Sequence, residues 1–109
     1  MPSYSMHDVL LVQYPFTDLL GSKVRPAVVV SASHISQDIF IVPLTSQTAS
    51  LLPGEFVMSE WAKAGLNVQT AVKRGIFTVR QDRVLKRVGK FNQADIVRLA
   101  QSLRSWLGL

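Results

Sequence analysis

Apolar residues come in short runs along this chain, and none has helical spacing until the C-terminal end. The runs at 8–14, 27–31, 39–44, 54–58, 68–72 and 76–79 are rich in strand-favouring residues, and proline, glycine or small polar residues separate most of them. Such punctuation favours strands over helices. Pro15 stops the first run, and 17–22 carries loop chemistry (Thr-Asp-Leu-Leu-Gly-Ser). Pro26 has no N–H to give to a ladder, so it belongs at the first position of its strand or on an edge. Three consecutive valines, Val28 to Val30, suit a strand buried on both faces. Trp61-Ala62-Lys63-Ala64 reads as one helical turn ended by Gly65, and 84–91 as a short strand or a helical turn. The end of the chain is different in kind. Ile96, Leu99, Ala100, Leu103 and Leu107 follow helix periodicity behind Asn92 as N-cap, with Asp95 placed for a capping-box-like role and Gly108 as the stop. The pattern predicts a mainly β, α+β fold: five to seven short strands closed by one helix of about 14 residues. Short strands with tight turns make a small antiparallel barrel or a strongly curved sheet. The helix buries its stripe against that sheet or against a second subunit.

With 109 residues the chain amounts to one domain, residues 1–109. Hydrophobic residues at 48% against 17% charged exclude disorder. The lack of cysteine removes disulfides, thiol nucleophiles and cysteine-based metal sites, and His7 and His34 are too few for a histidine-rich one. We therefore expect no cofactor and no metal. No apolar run approaches a membrane span, and the N-terminus lacks a signal-type stretch, so a cytoplasmic protein without membrane contact is expected. The net charge of +5 favours a polyanionic partner. It is unevenly held. Residues 1–70 carry three cations against five acids, net −2; residues 71–109 carry nine against two, net +7. The basic half reads as a phosphate-tracking surface or as a solvated face.

No standard enzyme motif is present, and the acids are scattered. Catalysis would have to rest on arginine, lysine, histidine or hydroxyl groups. Such a set can cleave RNA, whose 2′-hydroxyl supplies the nucleophile. The protein then provides proton transfer and cations around a pentavalent phosphorane.

An ordered set of segments carries a resemblance. His7-Asp8-Val9-Leu10-Leu11-Val12-Gln13-Tyr14-Pro15-Phe16-Thr17-Asp18 resembles the opening strand and loop of the PemK/MazF toxin family. Arg25-Pro26-Ala27-Val28-Val29-Val30-Ser31 resembles its Arg-Pro-hydrophobic strand, and Val42-Pro43-Leu44-Thr45-Ser46 its Pro-x-Thr-Ser strand end. Ile76-Phe77-Thr78-Val79 and the helix through Trp106-Leu107-Gly108-Leu109 complete the set. The resemblance implies an SH3-like small β-barrel with a C-terminal helix, forming a homodimer. It implies a metal-independent, sequence-specific endoribonuclease on single-stranded RNA, leaving 2′,3′-cyclic phosphate and 5′-hydroxyl ends, neutralised by a small acidic antitoxin. It also implies operator DNA binding together with the antitoxin. The alternative it leaves open is a binding module without catalysis, since the same barrel serves a gyrase-poisoning toxin.

The resemblance carries the catalytic pair over to Arg25 and Thr45. Arg25 precedes a buried strand, where its guanidinium can grip a phosphate bidentately or form an ion pair with Asp18 or Asp38. Thr45 ends a strand, where its hydroxyl reaches a phosphate oxygen or bonds its own backbone in a turn. Ser46, Gln47, Lys23, Lys73 and Arg74 are the candidate RNA contacts. Two departures stand out. His7 replaces the family's usual glycine and is a candidate acid or base, or a plain surface residue. Lys73-Arg74-Gly75 stands where some members carry Arg-x-Asp, which leaves the proton acceptor unassigned.

Overall fold

The computed structural model describes residues 4–14 and 23–109; the expected loop at 17–22, Pro15 and Asp18 lie outside the described residues. Seven antiparallel strands precede one helix: β1 Asp8–Tyr14, β2 Lys23–Val29, β3 Asp38–Thr45, β4 Phe56–Val57, β5 Ala71–Val72, β6 Phe77–Arg80 and β7 Val84–Lys90, then α1 Gln93–Leu107. A 3-10 turn at Gln81–Arg83, with no clear signal in the sequence, joins β6 to β7. The segment at 84–91 is thus strand rather than helical turn.

The sheet runs β4-β5-β3-β2-β1-β7, and β6 also pairs with β3. One edge of β3 is therefore shared. Its first half, Asp38 to Ile41, holds β6, and its end, Leu44 and Thr45, holds β5. Its other edge pairs with β2 through Ala27↔Pro43, Val28↔Val42 and Val29↔Ile41. β2 starts earlier than its apolar run, and Pro26 lies inside it opposite Leu11. The ladder to β3 begins only at Ala27, so Pro26 occupies a local edge, as a residue without an N–H must.

β1, the end of β2 and much of β3 are buried on both faces, whereas β6 and β7 are largely exposed, and alternation sorts the buried side chains into two cores. Leu10, Val12, Ala27, Val29, Ile39, Ile41 and Val79 form one, with Val84 packed against it. Because β6 and β7, from opposite ends of the sheet, both contribute, this is the inner face of a strongly curled sheet. Two register shifts between β1 and β7 add local twist. The curl stops short of a closed barrel: the 3-10 turn, and no ladder, spans from β6 to β7. Val9, Val28, Val42, Leu44, Phe56, Met58, Val72, Phe91 and Leu99 form the other core, which α1 covers.

The helix is rotated from its expected stripe. Leu99 is buried with Ile96 and Leu103 beside it, but Ala100 and Leu107 are exposed, and Ser102 and Trp106 take their place. The cause is polar: Ser102 Oγ donates to the Gly54 carbonyl at 2.6 Å and Trp106 Nε1 to the Pro53 carbonyl at 3.0 Å. Asp95 is fully buried and serves no capping box. Its carboxylate accepts the backbone N–H groups of Ser59 (2.9 Å) and Glu60 (3.0 Å), fixing the turn that carries Trp61 to Gly65. Asn92 starts the helix without a side-chain cap bond, and Gly108, left-handed at φ 71°, ends it.

Candidate functional site

Strand register builds a groove from residues far apart in sequence. Continuing the β2–β3 register two residues past Ala27↔Pro43 sets Arg25 across from Thr45. Both fall on the inner face with Ala27 and Ile41, because side chains repeat every second residue. Extending the β3–β5 pairing brings Lys73 opposite Pro43, and the Lys73 N–H donates to the Pro43 carbonyl at 2.9 Å. Phe77 pairs with Ile41 and takes the same face. Where the inner core ends, Arg25, Pro43, Thr45, Lys73 and Phe77 continue its face into the open. They line a groove of about 690 Å³, joined by Lys23, Ser46, Gln47 and Arg74 and, on the far wall, Leu66, Asn67, Val68 and Thr70.

Seven of the eight candidate residues thus meet in one cleft. Arg25 is exposed; no described carboxylate meets it, and Asp38 stands at the far end of β3 opposite Arg80. The Thr45 hydroxyl accepts the Gln47 N–H at 3.0 Å, the turn geometry of a threonine bonding its own backbone. That leaves its O–H to donate into the groove and fixes Gln47 on the rim.

His7 is the exception. Its N–H donates to the Val29 carbonyl at 2.7 Å, four residues along β2 from Arg25, or about 13 Å. It does not line the groove. Partial burial, helped by the nearby Lys90 ammonium and opposed by Asp8, holds its imidazole below the ordinary value. Nor is the basic half of the chain one surface. Arg87 pairs with the buried Asp8 at 3.6 Å, Arg80 with Asp82 at 3.5 Å, and Arg98 lies 4.4 Å above the Phe56 ring. Of the C-terminal cations, only Lys73 and Arg74 reach the groove. Among the described residues no three His, Asp or Glu side chains gather where they could hold a metal ion.

The family described as PemK-like, MazF-like toxins of type II toxin–antitoxin systems matches residues 6–107. The chain belongs to this family. Solved structures agree on the fold. A MazE–MazF complex from Deinococcus radiodurans superimposes with a TM-score of 0.80 at 14% identity, covering 100% of this chain and 99% of that one. An endoribonuclease in complex with its cognate antitoxin from a mycobacterial species gives 0.77 at 22%, covering 98% and 97%. The Mycobacterium tuberculosis toxin MazF-mt6 gives 0.74 at 17%, covering 94% and 97%. No curated protein sequence matches the chain.

In this PemK/MazF-like chain one further residue shapes the groove. Glu55 accepts the Leu52 N–H at 2.7 Å and the Arg74 N–H at 2.8 Å, tying the 73–75 turn to the start of β4. Burial works against its charge, but those two N–H groups, with the Lys73 and Arg74 cations, outweigh it and hold the carboxyl below its ordinary value. An isolated glutamate in no motif carries no sequence signal for this. Asn67, Val68 and Phe77 were equally silent, since only the fold turns them toward Arg25.

Proposed function

We propose that this PemK/MazF-like toxin is an endoribonuclease acting on single-stranded RNA without a metal ion. The observation that carries the reading is that Arg25 and Thr45, brought close by the ends of β2 and β3, line one groove with Lys23, Lys73 and Arg74. The scissile phosphate lies between the guanidinium and the hydroxyl. The 2′-oxygen attacks phosphorus, its proton leaves to a base, and charge builds on the non-bridging oxygens. Arg25 donates two parallel N–H groups to that charge, and Thr45 donates its O–H to the same phosphate and orients it. The P–O5′ bond breaks, the departing oxygen takes up a proton, and the products are a 2′,3′-cyclic phosphate and a 5′-hydroxyl. Arg25 also serves in the proton transfer. His7 has no part in this scheme as the chain is folded.

Of the structural neighbours, the mycobacterial endoribonuclease is in complex with its cognate antitoxin and the Deinococcus radiodurans MazF is in complex with MazE. For this chain we propose a homodimer neutralised by an acidic antitoxin segment laid over the groove, with operator DNA as a ligand of that complex and the cytoplasm as its setting. No described helix is long and apolar enough to cross a membrane.

One observation favours a second reading. No carboxylate or imidazole lines the groove, so a dedicated proton acceptor is missing among the described residues. A binding module that grips nucleic acid or a protein target without cutting would need none. The deciding experiment incubates the purified protein with a long mixed-sequence RNA in EDTA and maps the ends. Cleavage with cyclic-phosphate ends supports the enzyme. Cleavage abolished by EDTA refutes the metal-free mechanism, and intact RNA in both conditions leaves the binding module.

A further inference from the structure

We propose that Phe77 is the seat of an unpaired nucleobase of the RNA, next to the phosphate held by Arg25 and Thr45, with the side-chain amides of Asn67 and Gln47 reading its edge. The proposal rests on the RNase reading of the groove and adds what the groove recognises besides phosphate.

Three observations converge on it. Phe77 shares the sheet face of Ile41, Pro43 and Thr45, yet it sits where the inner core opens and stays 37% exposed, while Val79, two residues on, is only 6% exposed. A core aromatic would be covered at this register, so the ring is presented to the groove. The residue before the neighbouring Ile76 is Gly75, at φ 153°, and a Cβ built there would lie 3.0 Å from the ring atom Cε2 and 3.7 Å from Pro43 Cδ. The Gly75 backbone thus passes close to the ring, where any larger residue would crowd it. Opposite, the wall from Leu66 to Thr70 brings exposed Val68 as an apolar contact and exposed Asn67 as a polar one, and Gln47 is pinned on the rim by the Thr45 hydroxyl. An aromatic face amid Lys23, Arg25, Lys73 and Arg74 is the arrangement that holds single-stranded nucleic acid: cations track phosphates and a ring stacks a base. An amide offers a donor and an acceptor together, which lets it discriminate among base edges.

The test uses the whole protein. A short RNA spanning the mapped cut site, with a 2′-deoxy sugar at the cut nucleotide, binds without being cut. Its Kd is measured for the wild type, Phe77→Tyr and Phe77→Leu, with each base near the site replaced in turn by an abasic residue. Phe77→Leu should weaken binding roughly 5- to 100-fold, and Phe77→Tyr should restore it. One abasic position should cost the wild type affinity and cost Phe77→Leu nothing. In Phe77→Trp, the indole fluorescence added to that of Trp61 and Trp106 should be quenched by RNA, and this variant decides the matter if Phe77→Leu does not melt cooperatively. Wild-type affinity in Phe77→Leu, or an unquenched indole, overturns the base seat while leaving the RNase reading intact. A protein that binds RNA without cutting it overturns the RNase reading alone, and the quench still decides the seat. A protein that neither binds nor cuts RNA overturns both.

Discussion

The inner face of the sheet has two ends built by one rule and filled with opposite chemistry. At one end Val29, Ile39, Ile41 and Val79 are buried against each other. At the other, the same alternation on β2 and β3 presents Arg25, Pro43 and Thr45, with Phe77 from β6 beside them. The strands do not change conformation between the ends; their neighbours do. β1, β2, β3, β6 and β7 all contribute to the buried end, whereas β5 and β6 part company across residues 73–76 at the open one. The site is the core face continued past the point where the core has a lid.

The largest expected effect tests the buried end. Ile41→Ala leaves a cavity among six buried neighbours and should destabilise the fold by about 2–5 kcal/mol, read by urea denaturation. A loss below about 1 kcal/mol would mean that this face is not a packed core. Arg25→Ala should do the reverse: cleavage drops roughly 10²–10³-fold while stability changes by about 0.5 kcal/mol or less. If its melting falls as far as that of Ile41→Ala, the two ends are not chemically separate. Glu55 gives a smaller, pH-dependent effect at the open end. Its folded carboxyl titrates below the ordinary 4.5, so its ties to Leu52 and Arg74 are complete above that value and are lost as pH falls through the depressed one. Glu55→Gln should raise the KM for RNA several-fold at neutral pH with kcat nearly unchanged, and flatten the acid limb of the binding profile; an unchanged KM would detach the 73–75 turn from RNA contact. The smallest effect is expected at His7. Loss of a true general base costs about 10²–10⁴-fold, and His7→Ala should show nothing of that size in the cleavage rate. Its lowered value means that the unfolded imidazole, near 6.5, takes up a proton first, so stability falls as pH drops below that value; His7→Gln should reduce this slope in thermal melts.

Local residue choice made most of the elements legible. The 8–14 run is β1 residue for residue, and Gly108 stops α1 where expected. Pro26 was readable as an edge residue, though the strand around it begins three residues earlier at Lys23 because β1 alone pairs that part. What failed to show was non-local. Asp95 looks like a cap by position but is drawn to Ser59 and Glu60, and the helix turns to let Ser102 and Trp106 reach carbonyls that no periodicity announces. The same holds for the site. Family resemblance names Arg25 and Thr45, but their meeting in one groove depends on how β2 and β3 pair, which spacing along the chain cannot supply. The charge count suggests one basic surface; the fold commits three of those nine cations elsewhere, to Asp8, Asp82 and the Phe56 ring, and brings only Lys73 and Arg74 to the groove.

The shared edge of β3 bears on how such a groove can change over generations. Residues 73–76 form a bridge whose two abutments, the Lys73 bond to Pro43 and the Phe77↔Ile41 pair, are both fixed to one strand. Adding or removing a single residue would break the first abutment or slip β6 by one position, turning Phe77 outward and Thr78 in. Substitutions at Lys73, Arg74 and Ile76 and on the facing 66–70 wall leave this register alone, whereas Gly75, at φ 153° and close to the Phe77 ring, is held to glycine. Variation in this part of the molecule is thereby channelled into letter changes at constant length, so the side chains on the groove walls can change while the strand register beneath them is kept.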